Sequence, residues 1–273
     1  MGSGIAEVCA RANLDVVVCE MNQAALDAGR ARIETSLARA VSAGKLSDSE
    51  RDSLLEGLKF STDMGDFADR QIVIEAVVES EAEKVAVFRQ LDNAVEAPDA
   101  ILASNTSSIP IMKLAMATAR PDYVVGIHFF NPVPVLRLVE LIPSLLTDEA
   151  TCDRAEAFVS TALNKRVIRS QDRAGFVVNA LLIPYLLSSI RMLESGFATA
   201  EDIDAGMVLG CAHPMGPLAL ADLIGLDTTM AVAQSLYEEF KEQLYAPPPL
   251  LSRMVEAGLL GRKTKRGFYQ YNR

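Results

Sequence analysis

The sequence predicts an α/β protein, a mostly parallel sheet with crossover helices followed by a helical domain. Three observations predict it. Short β-branched runs alternate with helical periodicity up to about residue 170, the pattern becomes purely helical from Phe176 onward, and 273 residues suffice for about two domains. The boundary falls near residue 172, dividing the chain into 1–172 and 173–273.

The elements follow in order. Gly4 to Asn13 reads as a helix with Ile5, Ala6, Val8 and Cys9 on its apolar face, and Asp15 to Glu20 as a short strand ending in an acid. Asn22 to Val41 returns to helical periodicity. Leu46 to Leu58, charged and bounded by Gly44 and Gly57, reads as the second helix of an extended hairpin. Ile72 to Val77 is a strand, Glu81 to Val95 a helix, Ala100 to Ala103 a strand, Ile111 to Ala117 a short helix, and Tyr123 to Phe130 a strand. Asn131-Pro132-Val133-Pro134 turns the chain, because each proline fixes φ and lacks a ladder donor. Val135 to Ile142 is then a strand, Asp148 to Leu163 a helix, and Arg166 to Arg169 a strand. In the second domain, Phe176 to Ile190 is a buried helix whose polar interruptions leave it short of a membrane span. Thr199-Ala200-Glu201-Asp202 has the form of a capping box, and Asp227 to Glu242 is helical.

Composition narrows the function. Half the residues are apolar, and 26 basic against 36 acidic side chains give a net charge of −10. That balance argues against nucleic acid as a partner and requires a locally basic or backbone-lined site for any polyanion. Cys9, Cys19, Cys152 and Cys211 are scattered without a C-x-x-C pair, which indicates neither a disulfide framework nor a zinc site and points to a reduced, cytoplasmic setting. The first residues carry no secretory pattern. His128 and His213 are the two candidates for a proton shuttle near neutrality.

Met1-Gly2-Ser3-Gly4 reads as the tail of a glycine-rich phosphate loop or as a flexible start before an ordinary helix. Glu20 favours the first reading, since an acid ending the next strand can accept hydrogen bonds from adenosine ribose hydroxyls and would repel a 2′-phosphate, favouring NAD over NADP. His128 ends an apolar strand, where a histidine is either structural or catalytic. Glu140 is its counterweight, because the intervening proline turn can fold the next strand back and bring the carboxylate to the imidazole. Ser104 to Ser108 either caps a helix or offers hydroxyls at the carboxyl edge of the sheet, where α/β proteins bind ligands. Asn179, in an apolar run, is a packing amide or a substrate contact. His213 reads as a turn residue, and Gly261 to Gly267 as a solvated basic tail or an anion contact. No G-x-S-x-G elbow supports a serine hydrolase.

Together Ser104-Asn105-Thr106-Ser107-Ser108, His128-Phe129-Phe130-Asn131-Pro132-Val133-Pro134 with Leu138-Val139-Glu140, Gly175-Phe176-Val177-Val178-Asn179, His213-Pro214-Met215-Gly216-Pro217, and Gly261-Arg262-Lys263 with Gly267-Phe268-Tyr269 resemble the NAD-dependent 3-hydroxyacyl-CoA dehydrogenase family, in particular its bacterial 3-hydroxybutyryl-CoA dehydrogenases. The motifs run in order over essentially the whole chain. The resemblance implies a Rossmann-type NAD domain, an all-α substrate and dimerisation domain, an active site in a cleft between them, and a cytoplasmic homodimer that meets neither nucleic acid nor membrane. It implies reversible oxidation of a short-chain (3S)-3-hydroxyacyl-CoA in fatty acid β-oxidation or butanoate metabolism.

Carried over by position, His128 is the base and Glu140 its orienting partner, while Ser107 and Asn179 hold the substrate oxygen or the histidine. Gly2, Gly4, Glu20, Glu79, Lys84 and Asn105 lie near NAD, Ser36 and Lys45 near CoA, and Asn131 on the substrate and nicotinamide side. Family members begin with a strand and a complete glycine loop, whereas this chain starts inside that loop. The expectation is a sheet missing its first strand, through a shortened chain or a misassigned start. Two other readings stay open: a dehydrogenase of another hydroxy acid or acyl-CoA, and a weakened paralogue kept as a binding protein.

Overall fold

The computed structural model describes residues 1–271. They form two compact units, Met1–Asp172 and a second from Arg173 onward. The first opens with α1 (Gly2–Arg11), whose Ile5, Ala6, Val8 and Cys9 are buried, followed by β1 (Val16–Cys19). The next two helices are α2 (Gln23–Ser42), capped where the Asn22 side chain accepts the Ala25 N–H at 2.9 Å, and α3 (Asp48–Glu56). Ser47 and Glu50 form a full capping box at the start of α3.

The helix read to Leu58 stops at Glu56, and β2 (Leu58–Ser61) follows. Leu58 and Phe60 alternate with Lys59 and Ser61, so the period changes to two and the run pairs parallel with β1. After a single 3₁₀ turn come β3 (Ile72–Glu75), α4 (Glu81–Ala94), β4 (Ile101–Ser104), α5 (Ile111–Ala115), β5 (Val124–Phe129), β6 (Leu138–Pro143), α6 (Glu149–Ala157) and β7 (Arg166–Arg169). α6 runs on into a π-helical turn, Phe158–Ala162.

The strand expected from Val135 begins only at Leu138. The Val135 and Leu136 N–H groups both turn back to the Pro132 carbonyl at 3.0 Å, completing the proline turn before pairing starts. The buried Lys165, just before β7, holds that turn, its ammonium donating to the carbonyls of Val133 and Leu136 at 2.7 Å each.

The strands lie in two sheets, β1-β2 and β3-β4-β5-β6-β7, parallel throughout except for the antiparallel pair β5-β6. β4 and β5 are buried along their whole length, as a parallel sheet covered on both faces requires, and Ile101, Ile127, Phe129 and Leu141 anchor the core. The sheets part between β1 and β3, where they line a cavity of about 220 Å³.

The second unit holds α7 (Val178–Glu194), α8 (Ala200–Cys211), α9 (Pro217–Ile224), α10 (Leu226–Phe240) and α11 (Pro249–Glu256), packed around Leu186, Ile190, Leu218, Leu236 and Leu251. Phe176, expected in α7, instead takes a left-handed φ of 49° ahead of it. The Thr199 hydroxyl caps α8 by accepting the Asp202 N–H, and the same hydroxyl donates a hydrogen bond to the Asp202 carboxylate. The basic stretch after Gly261 is folded in: buried Asp222 accepts the N–H groups of Phe268 and Tyr269 at 3.0 Å and the Tyr271 hydroxyl at 2.9 Å, and Lys263 pairs with Asp227. Among the described residues no helix is long and apolar enough to cross a membrane.

Candidate active site

β5 and β6 are joined by the proline turn, and its length sets the register that places His128 directly opposite Glu140. Neighbours opposed across an antiparallel pair share a face, so the two side chains meet. His128 Nδ1 lies 2.8 Å from Glu140 Oε2, with the histidine 7% and the glutamate 0% exposed. A carboxylate can only accept, so Nδ1 carries the proton and donates it, and the lone pair resides on Nε2. Phe130 packs its ring against the imidazole at 4.6 Å. The site therefore contains an imidazole whose Nδ1 and ring orientation are fixed by a buried carboxylate.

The loop after β4 supplies the hydroxyls. Asn105 is buried and its Oδ1 accepts the Phe129 N–H at 2.8 Å, tying this loop to the residue after His128. Glu79 gathers the loop from the other side. Its Oε1 accepts from the Thr106 hydroxyl at 2.6 Å, from the Ser107 N–H and hydroxyl at 2.8 and 3.1 Å, and from the Ser108 N–H at 3.1 Å. Burial pushes the Glu79 carboxyl up, but the Thr106 hydroxyl, the Lys84 ammonium and the Ser107 donors outweigh it and hold the group below its usual value.

Beneath lies a buried pair. Lys84, 1% exposed, donates to Glu75 at 2.7 Å and approaches Glu79 at 3.4 Å, while the Ser104 hydroxyl donates to the other Glu75 oxygen at 2.6 Å. The same ammonium also donates to the Val77 carbonyl at 3.3 Å. Glu75 was missed in the sequence, although an acid ending an Ile-Val-Ile strand is the same signal that singled out Glu20. Asp172 was also passed over; its carboxylate accepts the Ile111 and Met112 N–H groups at 2.7 Å and so fixes α5 behind the serine loop.

Other candidates lie apart from this cluster. Glu20 follows β1, half-buried, and Gly2 and Gly4 open α1. A Cβ on Gly4 would stand 3.0 Å from Val133 Cβ, so the helix start and the proline turn approach as closely as glycine permits. Ser36 is half-buried on α2, Lys45 is exposed after it, and Asn131 is exposed in the turn. Asn179 is half-buried on α7 of the second unit, where His213 Nδ1 meets the Tyr185 hydroxyl at 3.1 Å.

Residues 1–173 match the family described as 3-hydroxyacyl-CoA dehydrogenase, NAD binding domain, and residues 175–271 its C-terminal domain. The chain belongs to the 3-hydroxyacyl-CoA dehydrogenase family. It is 63% identical to the 3-hydroxybutyryl-CoA dehydrogenase of Mycobacterium tuberculosis over 271 residues, covering 99% of this chain and 95% of that one. It is 39% identical to the mitochondrial hydroxyacyl-coenzyme A dehydrogenase of Homo sapiens, covering 99% and 88%. The crystal structure of (S)-3-hydroxybutyryl-CoA dehydrogenase from Ralstonia eutropha superposes with a TM-score of 0.94 at 46% identity, covering 100% and 96%. This dehydrogenase is thus an NAD-dependent oxidoreductase, and its first unit offers groups suited to the cofactor. The α1 N-terminus carries no acid in its first turn, which leaves the positive end of its dipole uncompensated there, and Glu20 stands half-buried just after β1.

Proposed function

We propose that the chain catalyses the reversible oxidation of a (3S)-3-hydroxyacyl-CoA, of short acyl chain such as 3-hydroxybutyryl-CoA, to the 3-oxoacyl-CoA in fatty acid β-oxidation or butanoate metabolism. The buried His128–Glu140 pair carries this reading, because dehydrogenation of an alcohol needs a base for the hydroxyl proton. NAD, when bound, supplies the hydride acceptor. His128 Nε2 takes the hydroxyl proton, and Glu140 steadies the imidazolium that results. In the reverse direction the same Nε2 returns the proton to the 3-oxygen.

Ser107 donates to the substrate's 3-oxygen, and Glu79 keeps its loop in place. Asn179 is the further candidate for holding the substrate's 3-oxygen or the histidine. Ser36 and Lys45 meet CoA, Asn105 and Asn131 border the nicotinamide side, and Gly2, Gly4, Glu20, Glu79 and Lys84 build the cofactor region. The free cysteines support a reduced cytoplasmic setting. Exposed Leu181, Phe197 and Leu209 support a homodimer formed through the second unit, testable by sedimentation. The activity test is reduction of acetoacetyl-CoA with NADH, followed at 340 nm. Turnover is expected with the wild type, and wild-type turnover by His128→Gln would overturn the assignment of the base.

A further inference from the structure

α5 cannot hold its own start. Its five residues are too few to persist as a helix without outside support, and Pro110 at its N-cap has no side-chain acceptor for the first free N–H groups. Asp172 supplies the acceptors. One carboxylate oxygen takes the Ile111 N–H and the other the Met112 N–H, both at 2.7 Å, and the negative charge suits the positive end of the helix. Both bonds lie within the first unit, of which Asp172 is the last residue.

The two bonds reach the site in two directions. Ile111 is fully buried, and a Cβ on Gly126 would stand 2.9 Å from Ile111 Cδ1, so α5 lies on β5 as closely as glycine permits. Gly126 and His128 are two positions apart on β5 and share a face, with Ile142 and Glu140 opposite them. Ile111 therefore rests on the face that carries the His128–Glu140 pair, one step back along the strand. In the other direction, only Ile109 and Pro110 separate Ser108 from α5. Asn105 holds the beginning of the serine loop, Glu79 its middle and Asp172 its end.

We propose that Asp172 is a positioning residue for the reaction, acting through the first turn of α5 to fix the Ser107 hydroxyl relative to His128 Nε2. The inference rests on the oxidation proposed above, in which both groups meet the same substrate oxygen. Hydroxyl and imidazole ride on separate elements, and a misplacement of about 1 Å between such groups can cost about a hundredfold in rate. Released from Asp172, the first turn of α5 frays and the loop loses the anchor at its end, while Glu20 and α1 stay where they are.

The test is steady-state reduction of acetoacetyl-CoA by NADH, with amide exchange followed on the same samples of the full chain. Asp172→Ala is expected to lower kcat about tenfold, to change KM for NADH less than twofold, and to speed exchange at residues 107–112 while β6 keeps its wild-type rate. Asp172→Asn, whose amide oxygen still accepts one of the two N–H groups, is expected to lose only about threefold in kcat, and it is read alone if the alanine variant does not fold. Thr199→Ala removes the cap of α8 and so matches the stability loss elsewhere; its kcat is expected within twofold of the wild type. The proposal is overturned if kcat and the exchange at residues 107–112 keep their wild-type values in the Asp172 variants, or if Thr199→Ala lowers kcat equally. A wild type without turnover would refute the reaction itself, whereas wild-type turnover that Asp172→Ala retains refutes the positioning role alone.

Discussion

Glu140→Gln removes one charge from the centre of the site and leaves its shape. Glu140 is fully buried and its oxygen sits 2.8 Å from His128 Nδ1, so the interaction is little screened by solvent. When Nε2 receives the substrate proton, the imidazolium and the carboxylate lie with charge centres about 4 Å apart. At an effective dielectric of about 20 their attraction is about 4 kcal/mol. Glutamine supplies no charge, and its amide can turn a donor towards Nδ1, which favours the tautomer whose Nε2 holds the proton. At about 1.4 kcal/mol per tenfold, the variant should lose about a thousandfold in kcat. KM for NADH should change less than about threefold, because the change leaves Glu20 and α1 untouched. Steady-state acetoacetyl-CoA reduction measures both constants, and a fall in kcat of less than tenfold would refute the role of the carboxylate.

Other changes test the supports. Lys84→Met strands Glu75 as a buried carboxylate without its ammonium and should cost about 3–5 kcal/mol in urea unfolding, while adding Glu75→Gln should restore part of the loss. Asp172→Ala uncaps α5 and should cost about 1–2 kcal/mol in the same assay. Gly267→Ala places a Cβ 1.9 Å from Asp222 Oδ1 and should lower the melting temperature of the second unit by calorimetry. The Glu79 carboxyl lies below its ordinary value of 4.5, so its contribution is complete above that pH and is lost as pH falls through the lower folded value. Glu79→Gln should flatten the urea midpoint against pH on the acid side of 4.5, and an unchanged acid limb would count against the clamp on Ser107.

The pairing of His128 with Glu140 was legible because a proline turn of fixed length between two apolar runs leaves few registers open. β2 was not, since four residues with alternating Lys59 and Ser61 directly after a charged helix look like its frayed end until Val16 and Val18 are there to pack on them. Lys84 and Glu75, nine positions apart with a strand end and a loop between them, gave no periodic hint of contact. Their pairing is a tertiary fact, as is the clamp of Glu79 on the serine loop.

The single hydrogen bond from the Phe129 N–H to Asn105 has the effect of a dowel between two parts that would otherwise be machined separately. The proton acceptor rides on β5 and the serine loop leaves β4 beside it, and beyond their last paired residues, Ser104 and Gly126, the ladder no longer holds the loop to the strand. Joined at Asn105, they share an origin, so an error that moves the loop moves the histidine with it by the same amount. Substitutions at Asn105 and Ser107 should therefore combine non-additively, and evolution can slide this pair along the sheet only as one piece.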